Sequence, residues 1–290
     1  SGLSKRYRCP GSGHYRRQFT IYGRQHTADV ENNRLCTDLL ALPERDALAQ
    51  CIGEEGKDRL LAEADEICAG QVRLFGQEQA VPLELRPPEP LKLWTEYEKA
   101  TPAIDIKFTW EAARFGWACT LGRAYYLNGN ERYALAFWQH TENFLASNPP
   151  YLGPHWASAQ EAALRLIPLV WSAQVFAASP HSTPERMARL AQAIAQHARR
   201  IPPTLIYARA QNNNHLLSEA AGLYTAGLAL PEHPQAKQWR ELGWRWFERG
   251  LLTQIAADGA YSQHSTNYQR LMLQLALWVG SLAKTERRAF

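Results

Sequence analysis

Seven stretches of the chain carry apolar residues at helical spacing and follow one another with only short gaps. Apolar residues that recur every three to four positions indicate amphipathic helices, and no stretch shows the alternation that marks a strand. Gly129, Asn148-Pro149-Pro150 and Ser179-Pro180 supply stop signals between them. The predicted helices cover residues 108–127, 131–147, 158–178, 184–200, 213–229, 235–256 and 266–284.

This pattern predicts an all-α protein with an α/α architecture. A bundle, a solenoid and a closed toroid of helical hairpins all fit seven helices joined by short loops. No repeat of fixed period is visible in the sequence, which counts against a simple solenoid.

Three predicted helices begin with capping signals. Ser158-Ala-Gln-Glu161 and Thr266-Asn-Tyr-Gln269 have the spacing of a capping box. Thr183-Pro184 places threonine at the N-cap and proline at the first helical position. The second capping box puts Tyr268 in the first turn of the last helix.

The first part of the chain is less regular. Residues 1 to about 40 show weak periodicity, and we predict an irregular segment with a short strand at Phe19–Tyr22. Residues 43–69 show helical spacing that Gly70 ends. A proline-rich link follows at residues 82–90 and is the best candidate for a boundary. We therefore assign residues 1–90 to an irregular and helical lead-in segment and residues 91–290 to the helical domain.

Composition and charge exclude several classes of protein. Hydrophobic residues make up 46% of the 290 positions, enough for a core, while a net charge of +4 is mild. No nucleic-acid-binding motif and no long Lys/Arg run is present, so no nucleic acid is expected as a partner. No run of about 18 apolar residues is present either, so no membrane span is expected.

The usual sequence signals for a metal, a cofactor or export are also missing. The five cysteines form no Cys-x-x-Cys pair and no zinc-like cluster with histidine, so we expect neither metal nor cofactor. The basic, polar N-terminus lacks the apolar core of a signal peptide, which leaves a bacterial periplasm and the cytoplasm both open. Ten Trp and twelve Tyr fit either a saccharide partner or a large aromatic core.

Two polar segments at the starts of predicted helices are the best candidates for a site. One is Gln211–His215, and the other is Gln263–Tyr268, where Tyr268 lies 54 positions beyond Asn214. A helix N-terminus presents free N–H groups and a partial positive charge. A carboxamide, an imidazole and a phenol in such places suit removal of a proton next to a carboxylate, as in β-elimination of a uronic acid.

In that chemistry Asn214 donates a hydrogen bond to the carboxylate, and His215 assists it or acts as the base. A phenol is ordinarily protonated at neutral pH, so protonating the leaving O4 atom is the easier role for Tyr268. The alternative is a structural role for all three residues, because asparagine is a common N-cap and histidine and tyrosine often pack at helix starts.

Other polar and aromatic residues are candidates for saccharide contacts. Some lie in the segment Asp105–Arg114, where Glu111 and Arg114 also have the spacing of a helical ion pair. Others lie in the loop before residue 158, because loops on a rigid scaffold often bind ligands, or near His215 and Tyr268. The predicted substrate-contacting residues are Lys107, Trp110, His155, Trp156, Glu219, Tyr261, His264 and Arg270.

Several motifs occur together in a fixed order, namely Ala64–Gly70, Arg73–Gly76, Asp105–Glu111, Leu121–Tyr125, Asn214–Gly222 and Asp258–Tyr268. This combination resembles the N-terminal helical domain of the heparinase II/III-like polysaccharide lyases. The resemblance covers about residues 60–285. It implies an incomplete (α/α) toroid that is normally followed by a β-sandwich domain, and β-elimination on uronate-containing polysaccharides.

The resemblance also implies roles for individual residues. The carboxylate-neutralising amide falls on Asn214, the neighbouring imidazole on His215 and the catalytic tyrosine on Tyr268. In many relatives a histidine follows that tyrosine, where this chain has Gln269. The family's further His or Tyr, often the base, falls beyond Phe290, so we expect a chain truncated before its last toroid helices and a β-sandwich domain.

We therefore predict a polysaccharide lyase, or its helical portion, that acts on an anionic polysaccharide such as a glycosaminoglycan or alginate. A non-catalytic glycan-binding or assembly module on the same scaffold is the alternative. A helical-toroid glycoside hydrolase is a weaker hypothesis, because it needs two carboxylates about 5–10 Å apart. Nothing in the spacing singles out a pair among Asp105, Glu111, Glu161 and Asp258.

Overall fold

The computed structural model of the chain describes residues 34–99 and 105–289, and the predicted strand at Phe19–Tyr22 lies outside them. The α-helices are α1 (Arg45–Cys68), α2 (Ile106–Ala113), α3 (Gly116–Asn128), α4 (Glu131–Ser147), α5 (Ala159–Val175), α6 (Pro184–Arg200), α7 (Leu205–Gln211), α8 (Asn214–Ala229), α9 (Ala236–Gln254) and α10 (Thr266–Thr285). Three 3₁₀ helices cover Trp94–Lys99, Pro154–Trp156 and Pro202–Thr204. Two short antiparallel strands, β1 (Gln71–Val72) and β2 (Val81–Pro82), pair Gln71 with Pro82 and Val72 with Val81.

The predicted all-α class is confirmed, and successive helices pack as an incomplete α/α toroid. From residue 131 onward the predicted helices lie within three residues of their observed bounds. The predicted helix at 108–127 is two helices, because Phe115 adopts a left-handed φ of 63° between α2 and α3. Its buried ring packs against Trp117 and Phe144, with centroids 4.6 and 5.0 Å away.

Helix α8 is the central helix of the described chain. It packs against α5, α7, α9 and α10, and all of its residues except His215 are buried. A helix that is covered on every side is expected to be apolar all round, and most of α8 is, apart from polar residues such as Asn214, Ser218 and Glu219. The approach to α9 is close, because a methyl group added at Gly243 would lie 2.4 Å from the backbone N of Tyr224.

Residues before the predicted boundary at residue 90 share this core. The Cys36 N–H donates to the carbonyl of Ala229 at 2.8 Å, and the N–H groups of Leu39 and Leu40 both donate to Oε1 of Gln174 at 3.1 Å. The proline-rich link therefore does not divide the hydrophobic core of the described chain, and the division into residues 1–90 and 91–290 stays a prediction. None of the described helices combines the length and apolar character needed to cross a bilayer.

Candidate functional site

The two polar segments singled out in the sequence meet in the structure. Helix α8 begins at Asn214 and α10 begins at Thr266. The backbone N–H of Asn214 donates a hydrogen bond of 2.8 Å to Oε1 of Gln263, across a separation of 49 residues. The segments that lead into the two helices are therefore neighbours in space.

The turn that enters α8 is held by the end of α9. Asn212 adopts a left-handed φ of 44°, and Nε2 of Gln254 donates to its Oδ1 at 3.2 Å and to the carbonyl of Asn213 at 3.1 Å. The hydroxyl of Tyr261 donates in turn to Oε1 of Gln254 at 2.9 Å. These bonds fix the backbone immediately before Asn214.

Asn213, and not Asn214, caps helix α8. The Asn213 side chain accepts the N–H of His215 at 3.0 Å, which satisfies one of the free donors of the first turn. Asn214 is 6% exposed, and among the described residues its carboxamide has no hydrogen-bond partner, since its two bonds involve the backbone. Asn214 is nevertheless not among the described residues that line the neighbouring cleft, so its contact with a ligand stays a prediction.

A cleft of about 450 Å³ opens beside the start of α8. Its walls come from α2, the residues that follow the Pro154–Trp156 turn, the last residue of α6 and helix α7. The volume lies within the range of small-molecule binding sites. The polar groups of its lining include Arg200, Gln211, His215 and Glu219.

Burial sets the protonation of two groups in this cleft. Desolvation lowers the pKa of His215 below its usual value, and the negative charge of Glu161 opposes the shift without cancelling it. Burial raises the pKa of Glu219 to about 8, against the opposing attraction of the Arg200 cation. At neutral pH the imidazole is thus neutral and the Glu219 carboxyl mostly protonated, so each group can donate a hydrogen bond to an anion.

Glu219 also has an unused hydrogen-bonding atom. Its Oε2 has no partner among the described residues, although the residue is only 3% exposed. Leaving a buried polar atom unpaired costs about 1–3 kcal/mol, so such atoms call for an explanation. Glu219 is among the residues that line the cleft, which makes a bound ligand the candidate partner of this oxygen.

The capping box predicted at the start of α5 does not form. Ser158 is the N-cap, but its side chain makes no capping bond. Glu161 pairs instead with Arg114 through two bonds of 2.7 Å, and Arg114 also contacts Glu111 at 2.6 Å, which is the ion pair that the sequence predicts. Within residues 34–99 and 105–289, no group of three or more His, Cys, Asp or Glu side chains is placed to hold a metal ion.

The comparison with known families is decisive for the fold and the family. The model of the family described as Heparinase II/III N-terminus matches residues 92–289. The chain belongs to this family. The matched range includes every element that lines the cleft, from the Trp94–Lys99 turn to helix α8.

Curated relatives in the heparinase II/III family are heparin-sulfate lyases. The one from Bacteroides thetaiotaomicron is 27% identical over 158 residues, which are 53% of this chain and 22% of that lyase. The one from Bacteroides stercoris is 26% identical over 187 residues, 58% of this chain and 28% of that lyase. This chain therefore spans about a quarter of the length of the curated relatives it matches.

Solved heparinase structures share the fold. A heparan sulfate lyase from Pedobacter heparinus matches with a TM-score of 0.59 at 21% identity, over 79% of this chain and 34% of that one. The heparinase III-BT4657 gene product matches with a TM-score of 0.62 at 20% identity, over 92% of this chain and 42% of that one.

Tyr268 lies in the first turn of α10, as the sequence pattern predicts. The N-cap of that helix is Ser265 and not the predicted Thr266, and no side chain caps it. Tyr268 is 40% exposed and is not among the described residues that line the cleft. Its approach to a sugar held at Asn214 stays a prediction.

The predicted contact residues fall into three groups by position. The cleft is lined by Trp110 and Glu219. The residues that are exposed outside the described lining are Lys107, His264 and Arg270. The residues that are buried, with 1%, 1% and 5% exposure, are His155, Trp156 and Tyr261.

The structure does not support a saccharide contact for the buried group. The His155 ring packs against Phe144, with centroids 5.7 Å apart, and the Trp156 ring packs against His197 at 4.5 Å. The Tyr261 hydroxyl is engaged at the junction of the two polar segments, where its one proton is shared between Oε1 of Gln254 and Oε1 of Gln263. These three buried residues therefore pack beneath the surface of the site and do not face a ligand.

Two buried arginines hold the segment that carries His155 and Trp156. Arg165 donates from Nη2 to the carbonyl of His155 at 2.7 Å. Arg200 donates to the carbonyls of Trp156 and Ala157 at 2.8 and 2.7 Å. Three consecutive carbonyls are thus bound by two guanidinium groups, which fixes this wall of the cleft.

Sequence reasoning gave no substrate contact to four of the polar or aromatic residues of the cleft lining, namely Tyr97, Arg200, Tyr207 and Gln211, although Gln211 belongs to a candidate segment. Two of them lie on α7, whose seven residues are too few for periodicity to reveal. Pro202-Pro203 before it and Asn212 after it are start and stop signals that could have marked a short helix. Nothing local distinguishes Arg200 from the other arginines near the end of α6.

Proposed function

We propose that this chain is the helical, substrate-binding part of a polysaccharide lyase that cleaves a uronate-containing glycosaminoglycan by β-elimination. The hydrogen bond between Asn214 and Gln263 carries the proposal, because it brings the start of α8 next to the segment that leads to Tyr268. Membership of the heparinase II/III family supports the reaction type. The name shared by the relatives, heparin-sulfate lyase, favours a glycosaminoglycan over alginate.

The first part of the proposed reaction is neutralisation of the uronate carboxylate. The carboxamide of Asn214 and the neutral imidazole of His215 each donate a hydrogen bond to it. Negative charge that develops when C5 loses its proton is then stabilised at the N-terminus of α8, whose dipole adds about 0.3–1 kcal/mol. One well-placed donor of this kind typically changes the rate by about 10²–10³-fold.

The second part is the movement of two protons. The neutral His215 retains a lone pair and is the candidate in the cleft for taking the C5 proton. The electrons of the C5–H bond form the C4–C5 double bond as the C4–O4 bond breaks. The phenol of Tyr268 protonates the leaving O4, and the products are an unsaturated uronate and a free reducing end.

The remaining contacts are divided between the cleft and its surroundings. Trp110 packs on a sugar ring, and the protonated carboxyl of Glu219 donates to a substrate oxygen. Lys107, His264 and Arg270, which are exposed outside the described lining, contact acidic groups of the polysaccharide that extend beyond the cleft.

Turnover of defined polysaccharides tests the proposal. The full-length protein that contains this chain is incubated with heparan sulfate, heparin and alginate, and the ultraviolet absorbance of the C4–C5 double bond is followed, with circular dichroism as the check on folding. The expected result is a rise in absorbance that is faster with heparan sulfate than with alginate. A folded sample that gives no unsaturated product with any of them contradicts the lyase proposal.

A glycan-binding module without turnover is the second candidate. The observation in its favour is that Tyr268 lies outside the described lining of the cleft. This alternative predicts that heparan sulfate oligosaccharides bind, that no unsaturated product forms, and that Tyr268→Phe leaves the affinity unchanged.

A further inference from the structure

Three aromatic side chains from three separate elements line the cleft beside His215 and Glu219. Tyr97 comes from the Trp94–Lys99 turn, Trp110 from α2 and Tyr207 from α7. Tyr207 is 50% exposed, so half of its surface stays open to solvent. Large apolar surfaces left exposed in a cleft point to a ligand with an apolar face.

The elements that carry these rings are fixed in place. The hydroxyl of Tyr97 accepts the N–H of Lys92 at 3.2 Å, and the indole Nε1 of Trp110 donates to the carbonyl of Pro154 at 2.8 Å. Helix α7 is anchored by Leu205 and Ala208, whose exposures are 5% and 2%. Rings on anchored elements lose little conformational freedom when a ligand binds.

Polar groups line the same cleft as the rings. His215 and Gln211 line it, and the buried Oε2 of Glu219 has no partner among the described residues. A cleft that combines aromatic rings with hydrogen-bonding groups matches a sugar ring, which has a C–H face and a rim of hydroxyl groups. Purely apolar ligands would leave the Glu219 oxygen unsatisfied.

We propose that Tyr207, together with Trp110, forms a stacking subsite for one saccharide ring of the polysaccharide. This inference rests on the proposed function for the identity of the ligand. Tyr207 packs its ring against the C–H face of the sugar and contributes to binding, with no part in proton transfer. Its neighbour Ile206 is 60% exposed and is absent from the described lining, so it supplies a matched control on the same helix.

The experiment compares Tyr207→Ala, Tyr207→Phe and Ile206→Ala with the unchanged protein. Both positions are at least half exposed, and substitutions at such surface sites usually change stability little. Binding of a heparan sulfate oligosaccharide is measured by calorimetry at physiological ionic strength, and KM and kcat are measured by the absorbance assay.

We expect Tyr207→Ala to weaken binding and raise KM by about tenfold, with a smaller change in kcat, because the aromatic contact is lost; a tenfold change corresponds to about 1.4 kcal/mol. Tyr207→Phe retains the ring and is expected to stay within about twofold of the unchanged protein. Ile206→Ala is expected to bind normally.

The outcomes separate this inference from the lyase proposal. Unchanged affinity in Tyr207→Ala overturns the stacking subsite and leaves the lyase proposal standing. An equal loss in Tyr207→Phe and Tyr207→Ala also overturns it, because the ring would then not be the group that binds. Binding without unsaturated product, with the expected loss in Tyr207→Ala, supports the subsite and contradicts the lyase. A protein that binds no uronan contradicts both.

Discussion

The backbone N of Asn214 and the side-chain Oε1 of Gln263 form a hydrogen bond of 2.8 Å. The same oxygen accepts the hydroxyl of Tyr261 at 3.1 Å. One amide oxygen thus takes two donors, one from the start of α8 and one from the loop before α10. This oxygen therefore helps to hold the two helix starts in their relative positions, on which the proposed site depends.

Replacing Gln263 by alanine is expected to lower the free energy of unfolding by about 1–3 kcal/mol, because the Asn214 N–H loses its acceptor, while the Tyr261 hydroxyl keeps Oε1 of Gln254. The rate of polysaccharide cleavage should fall further, since the two helix starts lose their fixed register. Gln263→Glu keeps an acceptor oxygen in place and should retain most of the stability and most of the cleavage rate. Urea unfolding measures the stability, with the exposed Gln269→Ala as control, and a Gln263→Ala protein as stable as the unchanged one contradicts this account.

Replacing His155 by leucine is expected to stabilise the protein. Both ring nitrogens are buried without a partner among the described residues, and burial together with the Arg165 charge lowers the pKa of His155 to about 3. The imidazole therefore stays neutral in the folded state while it gains a proton in the unfolded state below pH 6.5. Its contribution to stability is lost as the pH falls from 6.5 towards 3, by up to about 1.4 kcal/mol per pH unit.

His155→Leu should raise the free energy of unfolding by about 1 kcal/mol at pH 7, and by more at pH 5. Urea unfolding at the two pH values measures both effects, and the exposed His264→Leu serves as the control for the pH dependence. Cleavage activity should be retained, because the ring does not reach the cleft. Loss of activity in a stable His155→Leu protein would contradict this account and favour a substrate contact for His155.

Glu219 should make stability depend on pH in the direction opposite to His155, and replacing it by glutamine should remove that dependence. Burial raises the pKa of Glu219 from 4.5 to about 8, so the folded state keeps a proton that the unfolded state releases. Stability is then highest below pH 4.5 and falls as the pH rises to 8, by at most about 1.4 kcal/mol per unit. The stability of Glu219→Gln relative to the unchanged protein should therefore grow between pH 5 and pH 8. Parallel pH profiles for the two proteins contradict the buried, protonated carboxyl, and the exposed Glu55→Gln should show no such trend.

Arg200→Lys tests the support of the cleft wall. Arg200 donates to two carbonyls and to Oγ1 of Thr204 at 3.0 Å, and its guanidinium lies 3.5 Å from the ring centroid of Trp94. An ammonium group cannot reproduce this fixed set of donors, so we expect a loss of about 2 kcal/mol or more. Saccharide affinity should fall as well. The exposed Arg245→Lys on α9 is the control, and normal stability in Arg200→Lys would show that the carbonyls find other donors.

The helices could be predicted because their apolar periodicity and end signals are local properties of the sequence. The break at Phe115 could not, because a phenylalanine at a φ of 63° is stabilised by rings that lie elsewhere in the chain, such as Phe144. Helix α7 was missed because seven residues carry too little periodicity. The break at Phe115 thus depends on tertiary contacts, and α7 is too short for local periodicity to reveal it.

The candidate site was predictable in part, because local sequence patterns mark the starts of its two helices. The helix starts at Asn214 and Thr266 follow from local patterns, and their proximity agrees with the hypothesis of one site. The burial of His155 and Trp156 depends on Arg165 and Arg200, which lie 10 and 44 residues further along the chain. Sequence spacing gives no information on such pairs, so two supporting residues were predicted as contacts.

The most direct test of the central claim is a double-mutant cycle between Asn214 and Tyr268, measured as the rate of unsaturated product formation from heparan sulfate. If both side chains act on one bound uronate, Asn214→Ala and Tyr268→Phe should each lower the rate by about 10²-fold or more. The double variant should be little slower than either single one. Tyr126→Phe on α3 should behave like the unchanged protein. A Tyr268→Phe protein that retains the full rate, or effects of the two substitutions that simply multiply, would contradict the claim that these residues share one site.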